Sequence, residues 1–181
     1  MSRVAIGSFN LLNLRSPGKA FYSNPGYSTD QYRRKVEWTA RLFDQLQCQF
    51  LAVQEVFDEQ ALKDCASASS VFKNAATIVA PHSERRDNPL PRVGLISALP
   101  LLGPVESITK IPASAAITLP GAPEIGLPAQ DHQLFSRPVL ATTVNLGTEA
   151  APVPARLYVV HLKSRRPKRL SNEDQTGKDK Q

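Results

Sequence analysis

The sequence predicts an α/β protein built mainly on one mixed β-sheet with one or two helices. Two apolar runs, SFNLLNL and FLAVQEV, enclose an amphipathic helical stretch, which is the pattern of a parallel strand–helix–strand crossover. Further along the chain, short apolar runs follow one another with polar or proline-containing connections, which favours antiparallel pairing. Fifteen prolines in 181 residues also favour strands joined by irregular loops over a helical bundle.

The first half of the chain contains the clearest elements. A near-continuous apolar run over residues 3–14 predicts a buried strand, and residues 15–27 read as a loop. Ser28 followed by Gln31 fits a capping box, so we expect a helix over residues 28–48. Its apolar stripe is expected to be core: Tyr32, Val36, Ala40, Phe43 and Leu46.

The strand over residues 50–56 comes next, and a second helix is expected to begin at Asp58. That helix is expected to turn a small apolar set inward: Ala61, Leu62, Cys65 and Ala66.

The second half predicts strands over residues 75–81, 92–99, 105–111, 135–146 and 156–162, with the last two forming a hairpin. Residues 112–133 are rich in proline, alanine and glycine and predict an irregular surface excursion. Beyond Arg165 apolar residues nearly vanish. We therefore expect one domain over residues 1–164 and a charged, disordered tail over 165–181.

Composition limits the possible classes of protein. A hydrophobic content of 41% supports a packed core and excludes wholesale disorder. The net charge is +6, but residues 165–181 carry six Lys/Arg against three Asp/Glu, so the body is only mildly basic. Cys48 and Cys65 form no disulfide framework or zinc spacing. The absence of a signal peptide and of a long apolar run predicts a cytoplasmic protein with no membrane span.

Elimination leaves a set of single polar residues at strand ends. The chain lacks the phosphate-binding loop, the dinucleotide fingerprint, the serine-hydrolase elbow and the zinc-protease motif. What remains is Asn10, Gln54, Glu55, Arg137 and His161, with Ser164 nearby. Such a set suits phosphoryl chemistry, because a carboxylate can hold Mg²⁺ or Mn²⁺ while an arginine neutralises charge on phosphate oxygens.

Each of these residues also has an ordinary structural interpretation. Asn10 could simply form a turn, and Glu55 could simply reach solvent at the end of its strand. His161 could be a sheet histidine with satisfied hydrogen bonds, and Arg137 could form a structural ion pair. The basic cluster at residues 165–169 could be a solvated loop, since basic runs carry no base specificity.

Four stretches in order carry a family resemblance: SFNLLNL, LAVQEV after an amphipathic helix, RVGLISALPL, and RPVLATTVNL followed by LYVVHLKS. From Arg3 to about Arg166 the chain resembles the N-terminal half of the endonuclease/exonuclease/phosphatase family of metal-dependent phosphoesterases. The resemblance implies a portion of a four-layer α/β sandwich, with β-sheets packed face to face and helices outside. It also implies a hydrolase of phosphoester bonds, most specifically a nuclease-like phosphodiesterase that uses Mg²⁺ or Mn²⁺.

The resemblance implies roles for matching positions. Glu55 corresponds to the metal-binding glutamate, and Asn10 to an asparagine that orients the phosphate and the metal's water shell. His161 corresponds to a histidine that hydrogen-bonds or protonates the scissile phosphate. Arg137, with Ser164, is a candidate substrate contact.

Two departures from the family pattern limit what is carried over. In the family a basic residue often follows the serine at this point, but here Ala98 follows Ser97. The loss of that basic residue would weaken substrate binding. No Gly-Asp-x-Asn or Ser-Asp-His motif follows Ser164, so the residues expected to position and activate water are absent from this sequence. The alternative to an enzyme is therefore a catalytically inactive half-domain or basic binding fragment, with a complementary C-terminal half as a candidate partner. DNA, RNA, lipid and inositol phosphate all remain open as substrates.

Overall fold

The computed structural model describes residues 3–81, 90–115, 117–119, 130–132 and 134–162. It confirms the predicted α/β class and shows two helices, a mixed sheet and an antiparallel sheet. In chain order the elements are β1 (Ile6–Leu14), α1 (Thr29–Leu46), β2 (Phe50–Val56), α2 (Glu59–Ala68), β3 (Ala76–Val79), β4 (Arg92–Ser97), β5 (Glu106–Lys110), a 3₁₀ turn (Ala113–Ala115), β6 (Ile117–Leu119), β7 (Gln130–His132), β8 (Leu134–Asn145) and β9 (Pro154–Val159).

The mixed sheet has the strand order β1-β2-β4-β3. The predicted crossover is confirmed, because β1 and β2 pair in parallel across α1, with Ile6 opposite Phe50 and Asn10 opposite Gln54. β4 lies antiparallel to both β2 and β3. The parallel pair therefore directs the carboxyl ends of β1 and β2 to the same edge of the sheet.

The two helices cover one face of the mixed sheet. The Ser28–Gln31 capping box is present as predicted, and Asp58 caps α2 by accepting a hydrogen bond from the Ala61 amide. The inward residues of α2 are buried as expected. The prediction that the whole α1 stripe is core is wrong at Leu46, which is exposed because α1 ends there and Gln47 turns into a left-handed cap.

The antiparallel strands form a second sheet of order β5-β8-β9, which the prediction of mainly one mixed sheet did not include. The β8–β9 hairpin is confirmed. The mixed sheet needs this cover because β4 is apolar on both faces, and only one face meets the helices. The second core, between the sheets, consists of Phe50, Ala80, Val93, Leu95, Leu140, Val144 and Val159.

Two predictions about loops and tails have different outcomes. Part of the expected irregular excursion forms two short strands, since β6 pairs with β7 in antiparallel fashion. Ser164 and the expected disordered tail lie outside the described residues. Within the part of the chain that the structure covers, no helix is both long and apolar enough to cross a bilayer.

Candidate functional site

Three strands bring the polar residues together at one edge of the molecule. Asn10 is paired in register with Gln54, so Asn10 and Glu55 belong to adjacent strand ends. His161 follows β9 by two residues and comes from the other sheet. Its Nε2 lies 3.9 Å from a carboxylate oxygen of Glu55. The fold thus joins residues that are more than 100 positions apart in the chain into one cluster.

Glu55 has a left-handed backbone conformation, with a φ angle of 63°. It interrupts pairing on both sides of β2: Asn10 pairs with Gln54 and Leu14 with Val56, while Val53 pairs with Gly94 and Val56 with Arg92. A non-glycine residue in this conformation carries roughly 1–2 kcal/mol of strain. The bulge turns this carboxylate to the side of the sheet on which His161 lies.

The segment after Glu55 is held in place by the strands that flank it. The Phe57 amide donates to the Leu14 carbonyl at 2.8 Å. The Arg92 guanidinium donates to the Phe57 carbonyl at 2.6 Å and to the Ala80 carbonyl at 2.8 Å. These bonds keep the backbone strained at Glu55, since relaxation would break the pairing that follows it.

Asn10 forms a turn, as its ordinary interpretation expects. Its side-chain Oδ1 accepts a hydrogen bond from the Leu12 amide at 2.9 Å, and Leu12 and Asn13 both have positive φ angles. β1 is therefore distorted opposite the bulge in β2. The turn uses the carbonyl oxygen of Asn10, so the side-chain amide N–H groups are the donors that can face a ligand.

His161 is held as a neutral imidazole. Burial lowers its pKa, the positive charge of Arg137 lowers it further, and the Glu55 carboxylate opposes both. His161 and Glu55, although 3.9 Å apart, therefore do not form an ion pair at neutral pH. Nδ1 of His161 is buried and has no hydrogen-bond partner among the described residues. A neutral imidazole can donate one hydrogen bond to a ligand oxygen.

Arg137 lies in β8 and faces the same cluster, where its charge acts on His161. Its Nη1 is buried without a hydrogen-bond partner in the portion of the chain that is described. Within that portion it also forms no ion pair. A buried guanidinium nitrogen that is not hydrogen-bonded is costly, and an anion at this position would satisfy it.

The structure places Ala98 far from the cluster around Glu55. Ser97 pairs with Phe50 and the Ala98 amide donates to the Gln49 carbonyl at 2.8 Å, so Ala98 lies at the opposite end of β2 from Glu55. Five residues of strand separate the two ends by about 17 Å. A basic side chain at position 98 would not extend the cluster around Glu55.

Sequence reasoning missed two members of the cluster. Lys35 donates from Nζ to the Leu12 carbonyl at 3.1 Å; burial lowers its pKa while Cys65 and Glu55 oppose the change. Tyr22 packs edge-on against Phe57, and its pKa is raised by burial, with Arg137 opposing and Glu55 adding to the effect. Lys35 could have been found, because it lies three residues after Tyr32 on the buried side of α1.

The cluster could hold only a cation that needs few protein ligands. No group of three or more His, Cys, Asp or Glu side chains converges within the described residues. Glu55 supplies one carboxylate, which is about one-fifth exposed, and Asn10 lies on the adjacent strand. Mg²⁺ fits this set better than Zn²⁺, since it keeps several waters and takes ligands from phosphate.

Comparison with known proteins adds no relative, because no family model, no curated protein and no solved structure matches the chain. Among the described residues, fold and site together define an α/β protein with a strained carboxylate beside a neutral histidine and an arginine that has one buried guanidinium nitrogen. The function is therefore argued from this geometry.

Proposed function

We propose that the chain carries the phosphate- and metal-binding half of a divalent-metal-dependent phosphoesterase, most specifically a nuclease-like phosphodiesterase. The observation that supports this most is the strained conformation of Glu55 next to His161 and Arg137. Backbone strain of this kind concentrates at sites of binding and catalysis. The family resemblance of the four sequence stretches points the same way.

Each residue has a distinct role in this proposal. Glu55 holds Mg²⁺ or Mn²⁺, which would neutralise charge on the phosphate oxygens. Asn10 contributes beside the metal through its side-chain N–H groups, which can donate hydrogen bonds to a phosphate oxygen. Arg137 binds the phosphate through the guanidinium nitrogen that has no hydrogen-bond partner among the described residues, and Ser164 is a second candidate contact. His161 donates a hydrogen bond to a phosphate oxygen, which its lowered pKa allows without a full positive charge.

The proposed activity needs groups from outside the described residues. Water must be deprotonated to attack phosphorus, and the cluster contains one carboxylate, which is assigned to the metal. A second carboxylate or a carboxylate–histidine pair from a complementary half would serve as the base. The same half would complete the four-layer sandwich, because among the described residues the helices pack on the mixed sheet and none packs on the antiparallel sheet.

A catalytically inactive binding module is the second candidate. The single carboxylate favours it, as does the net charge of +6. Such a module would bind nucleic acid in a salt-dependent manner and release it unchanged.

Cleavage of supercoiled plasmid and of bis(p-nitrophenyl) phosphate by the 181-residue chain, with Mg²⁺, Mn²⁺ or chelator, separates the two candidates. Turnover that requires the metal and is lost in Glu55→Gln supports the enzyme. Glu59→Gln is the matched control, because Glu59 is an exposed helix residue that pairs only with Lys63 among the described residues. Salt-sensitive DNA binding without turnover supports the binding module, and turnover that survives Glu55→Gln contradicts the role of Glu55.

A further inference from the structure

The loop between β1 and α1 places an exposed aromatic ring beside the cluster around Glu55. Tyr22 is 66% exposed, and its ring packs nearly perpendicular to the ring of Phe57, with the centroids 5.7 Å apart. Phe57 follows Glu55 by two residues. We propose that Tyr22 is a stacking platform for an unpaired nucleobase and that Arg15 binds a phosphate next to that base. The assignment of Tyr22 rests on the proposed function, and it narrows the substrate of that site to single-stranded nucleic acid.

Tyr22 occupies a turn position that disfavours a bulky side chain. Phe21 and Asn24 exchange two backbone hydrogen bonds, of 3.0 and 2.9 Å, so Tyr22 and Ser23 are the two residues of a tight turn. Of these two residues, only Tyr22 has a positive φ angle, which is 53°. That pattern matches a type II′ turn, whose first position favours glycine. A tyrosine there carries strain, and strain of this kind concentrates at binding sites.

The loop that carries the ring is held by its own hydrogen bonds. The Asn24 side chain accepts from the Gly26 amide at 2.9 Å, and the Gly18 amide donates to the Tyr27 carbonyl at 3.0 Å. Gly26 has a φ angle of 101°, and a Cβ there would lie 2.5 Å from the Lys19 carbonyl oxygen. The loop therefore closes too tightly for another residue at this position. A stacking surface that is already in place loses little entropy on binding.

Tyr22 is not the only residue that covers Phe57. Phe21 is buried, and its ring lies 5.7 Å from the Phe57 ring. The Arg15 guanidinium lies 5.2 Å from the centre of the same ring. Phe57 is thus packed from several directions and is buried, whereas most of Tyr22 remains exposed. The exposed part of the Tyr22 ring is available to a ligand.

Two guanidinium groups lie near this ring. Arg15 contacts Phe57 as Tyr22 does, and its Nη1 is buried without a hydrogen-bond partner among the described residues. Nη1 of Arg137 is in the same situation. Burial raises the pKa of Tyr22, while the charge of Arg137 opposes this shift and that of Glu55 adds to it. Tyr22 therefore shares the Phe57 ring with Arg15 and lies within the electrostatic range of Arg137.

An aromatic ring with two nearby cations matches the alternation of bases and phosphates along a nucleic-acid strand. An inositol phosphate has no aromatic group that could stack on Tyr22. In a duplex each base is stacked between its neighbours, so its face is closed to the ring. The ligand that satisfies all three groups is an unpaired base with one phosphate at Arg137 and the next at Arg15.

The test measures binding of fluorescein-labelled oligonucleotides to the full 181-residue chain by fluorescence anisotropy, with chelator present. The probes are a strand of about eight thymidines and an abasic strand of the same length and charge. We expect the thymidine strand to bind about fivefold or more tightly than the abasic strand, because stacking adds to the phosphate contacts. Equal binding of the two strands, or no saturable binding of either, would overturn the proposal.

Variants identify the ring on which the base stacks. Tyr22→Phe keeps the ring and should keep the difference between the two strands, whereas Tyr22→Leu keeps apolar bulk and should abolish most of it. Tyr158→Leu is the matched control and should leave the difference unchanged, because Tyr158 is 60% exposed but lies on β9. Circular dichroism melts verify that all three variants fold. A difference that persists in Tyr22→Leu contradicts stacking on this ring.

Two further measurements examine whether the base is unpaired. Tyr22→Leu should weaken binding of the thymidine strand about fivefold or more and leave binding of a duplex of the same length unchanged. A single 2-aminopurine in the strand should lose fluorescence on binding to the wild type and Tyr22→Phe, but not on binding to Tyr22→Leu. Equal losses on strand and duplex, or quenching by all three proteins, would overturn the preference for single strands.

Arg15 is tested separately through the salt dependence of binding. Arg15→Gln should preserve the difference between thymidine and abasic strands and reduce the salt slope by about 0.7, the value for one phosphate of a single strand. Arg33→Gln is the matched control and should not change the slope, because Arg33 is exposed on α1 and pairs with Glu37 at 3.0 Å. An unchanged slope in Arg15→Gln would overturn the role of Arg15.

Binding in chelator separates the stacking platform from the proposed hydrolysis. A chain that distinguishes the two strands through Tyr22 but cleaves nothing keeps the platform and contradicts the enzyme. A chain that cleaves in a Glu55-dependent manner but binds both strands equally keeps the proposed function and contradicts the platform.

Discussion

At the scale of single residues, Glu55 combines a left-handed backbone with a partly buried carboxylate between otherwise regular strands. Two hydrogen bonds hold the segment after Glu55 in place. The Phe57 amide donates to the Leu14 carbonyl, and the Arg92 guanidinium donates to the Phe57 carbonyl. The strain should therefore be measurable as stability that a more permissive residue would recover.

We predict that Glu55→Gly is more stable than Glu55→Ala by about 1 kcal/mol, which raises the melting temperature by roughly 2–4 °C in a chain of this size. Both variants remove the carboxylate, so the difference reports the backbone alone. At Lys63, an exposed position inside α2, the order should reverse, with glycine the less stable by up to about 1 kcal/mol. Equal stability of the two Glu55 variants would contradict strain at this position. Thermal unfolding measures both pairs.

His161 supplies a second prediction at this scale. Its pKa should lie below the ordinary value of 6.5, because burial and Arg137 both disfavour the imidazolium. Glu55→Gln should lower this pKa further, since Glu55 favours the charged form, and Arg137→Gln should raise it. NMR titration of the ring protons, assigned with His161→Asn, checks the two opposite shifts. Shifts in the same direction in both variants would contradict the electrostatic arrangement of the cluster.

The pH dependence of stability follows from the same lowered pKa. The unfolded chain binds a proton at His161 more readily than the folded chain does. The contribution of His161 to the free energy of unfolding is therefore complete above the unfolded pKa of about 6.5 and falls as the pH drops below it.

At the scale of elements, Asp58 links the first loop to the second helix. Its carboxylate accepts from the Ser16 amide at 2.9 Å, from the Ser16 hydroxyl at 2.5 Å and from the Ala61 amide at 3.0 Å. Burial alone would raise its pKa, but these hydrogen bonds outweigh burial and lower it. One side chain thus caps α2 and ties the loop after β1 to the site.

We predict that Asp58→Ala lowers the free energy of unfolding by about 1–2 kcal/mol at pH 7, because the variant lacks the cap and the hydrogen bonds with Ser16. Asp58→Asn is the matched control, because asparagine caps nearly as well and cannot ionise. With a lowered pKa, the wild-type contribution is present above about pH 4 and is lost as the pH falls through the folded pKa. Urea unfolding at about pH 7 and about pH 3 should show this loss in the wild type but not in Asp58→Asn.

At the scale of the whole molecule, three layers stand in the order helices, mixed sheet and antiparallel sheet, with one core at each interface. The helix layer covers one outer face, while the other outer face carries exposed residues such as Tyr158. β9 contributes both to this outer face and to the groove between β1, β2 and β9. Among the described residues, both features leave apolar area of β9 exposed.

The net charge of the whole chain gives a further prediction. Residues 165–181 supply half of the excess of +6. Deleting them should weaken binding to a single-stranded oligonucleotide and reduce the salt slope by roughly 0.7 for each phosphate that the tail no longer neutralises. The melting temperature should not change. An unchanged salt slope would show that nucleic acid binds the body of the domain. Fluorescence anisotropy over a salt series measures the slope.

Much of the fold follows from local patterns in the sequence. The capping box at Ser28, the cap at Asp58 and the alternation of strand residues each depend on neighbours within a few positions. The short α1 connection likewise determined the parallel pairing of β1 and β2. The exposure of Leu46 and the pairing of β6 with β7 were not predicted. Each depends on packing beyond the local segment.

By itself the sequence determined the α/β class and the candidate residues Asn10, Glu55, Arg137 and His161, because residue type and strand position are local properties. Only the tertiary structure decided which side chains meet. The strands form two sheets where mainly one was expected. Their packing places His161 3.9 Å from Glu55 and leaves the groove beside β9 open. Lys35 and Tyr22 joined the cluster for the same reason. Contacts between distant segments depend on how whole layers pack, and no pattern within one segment encodes that packing.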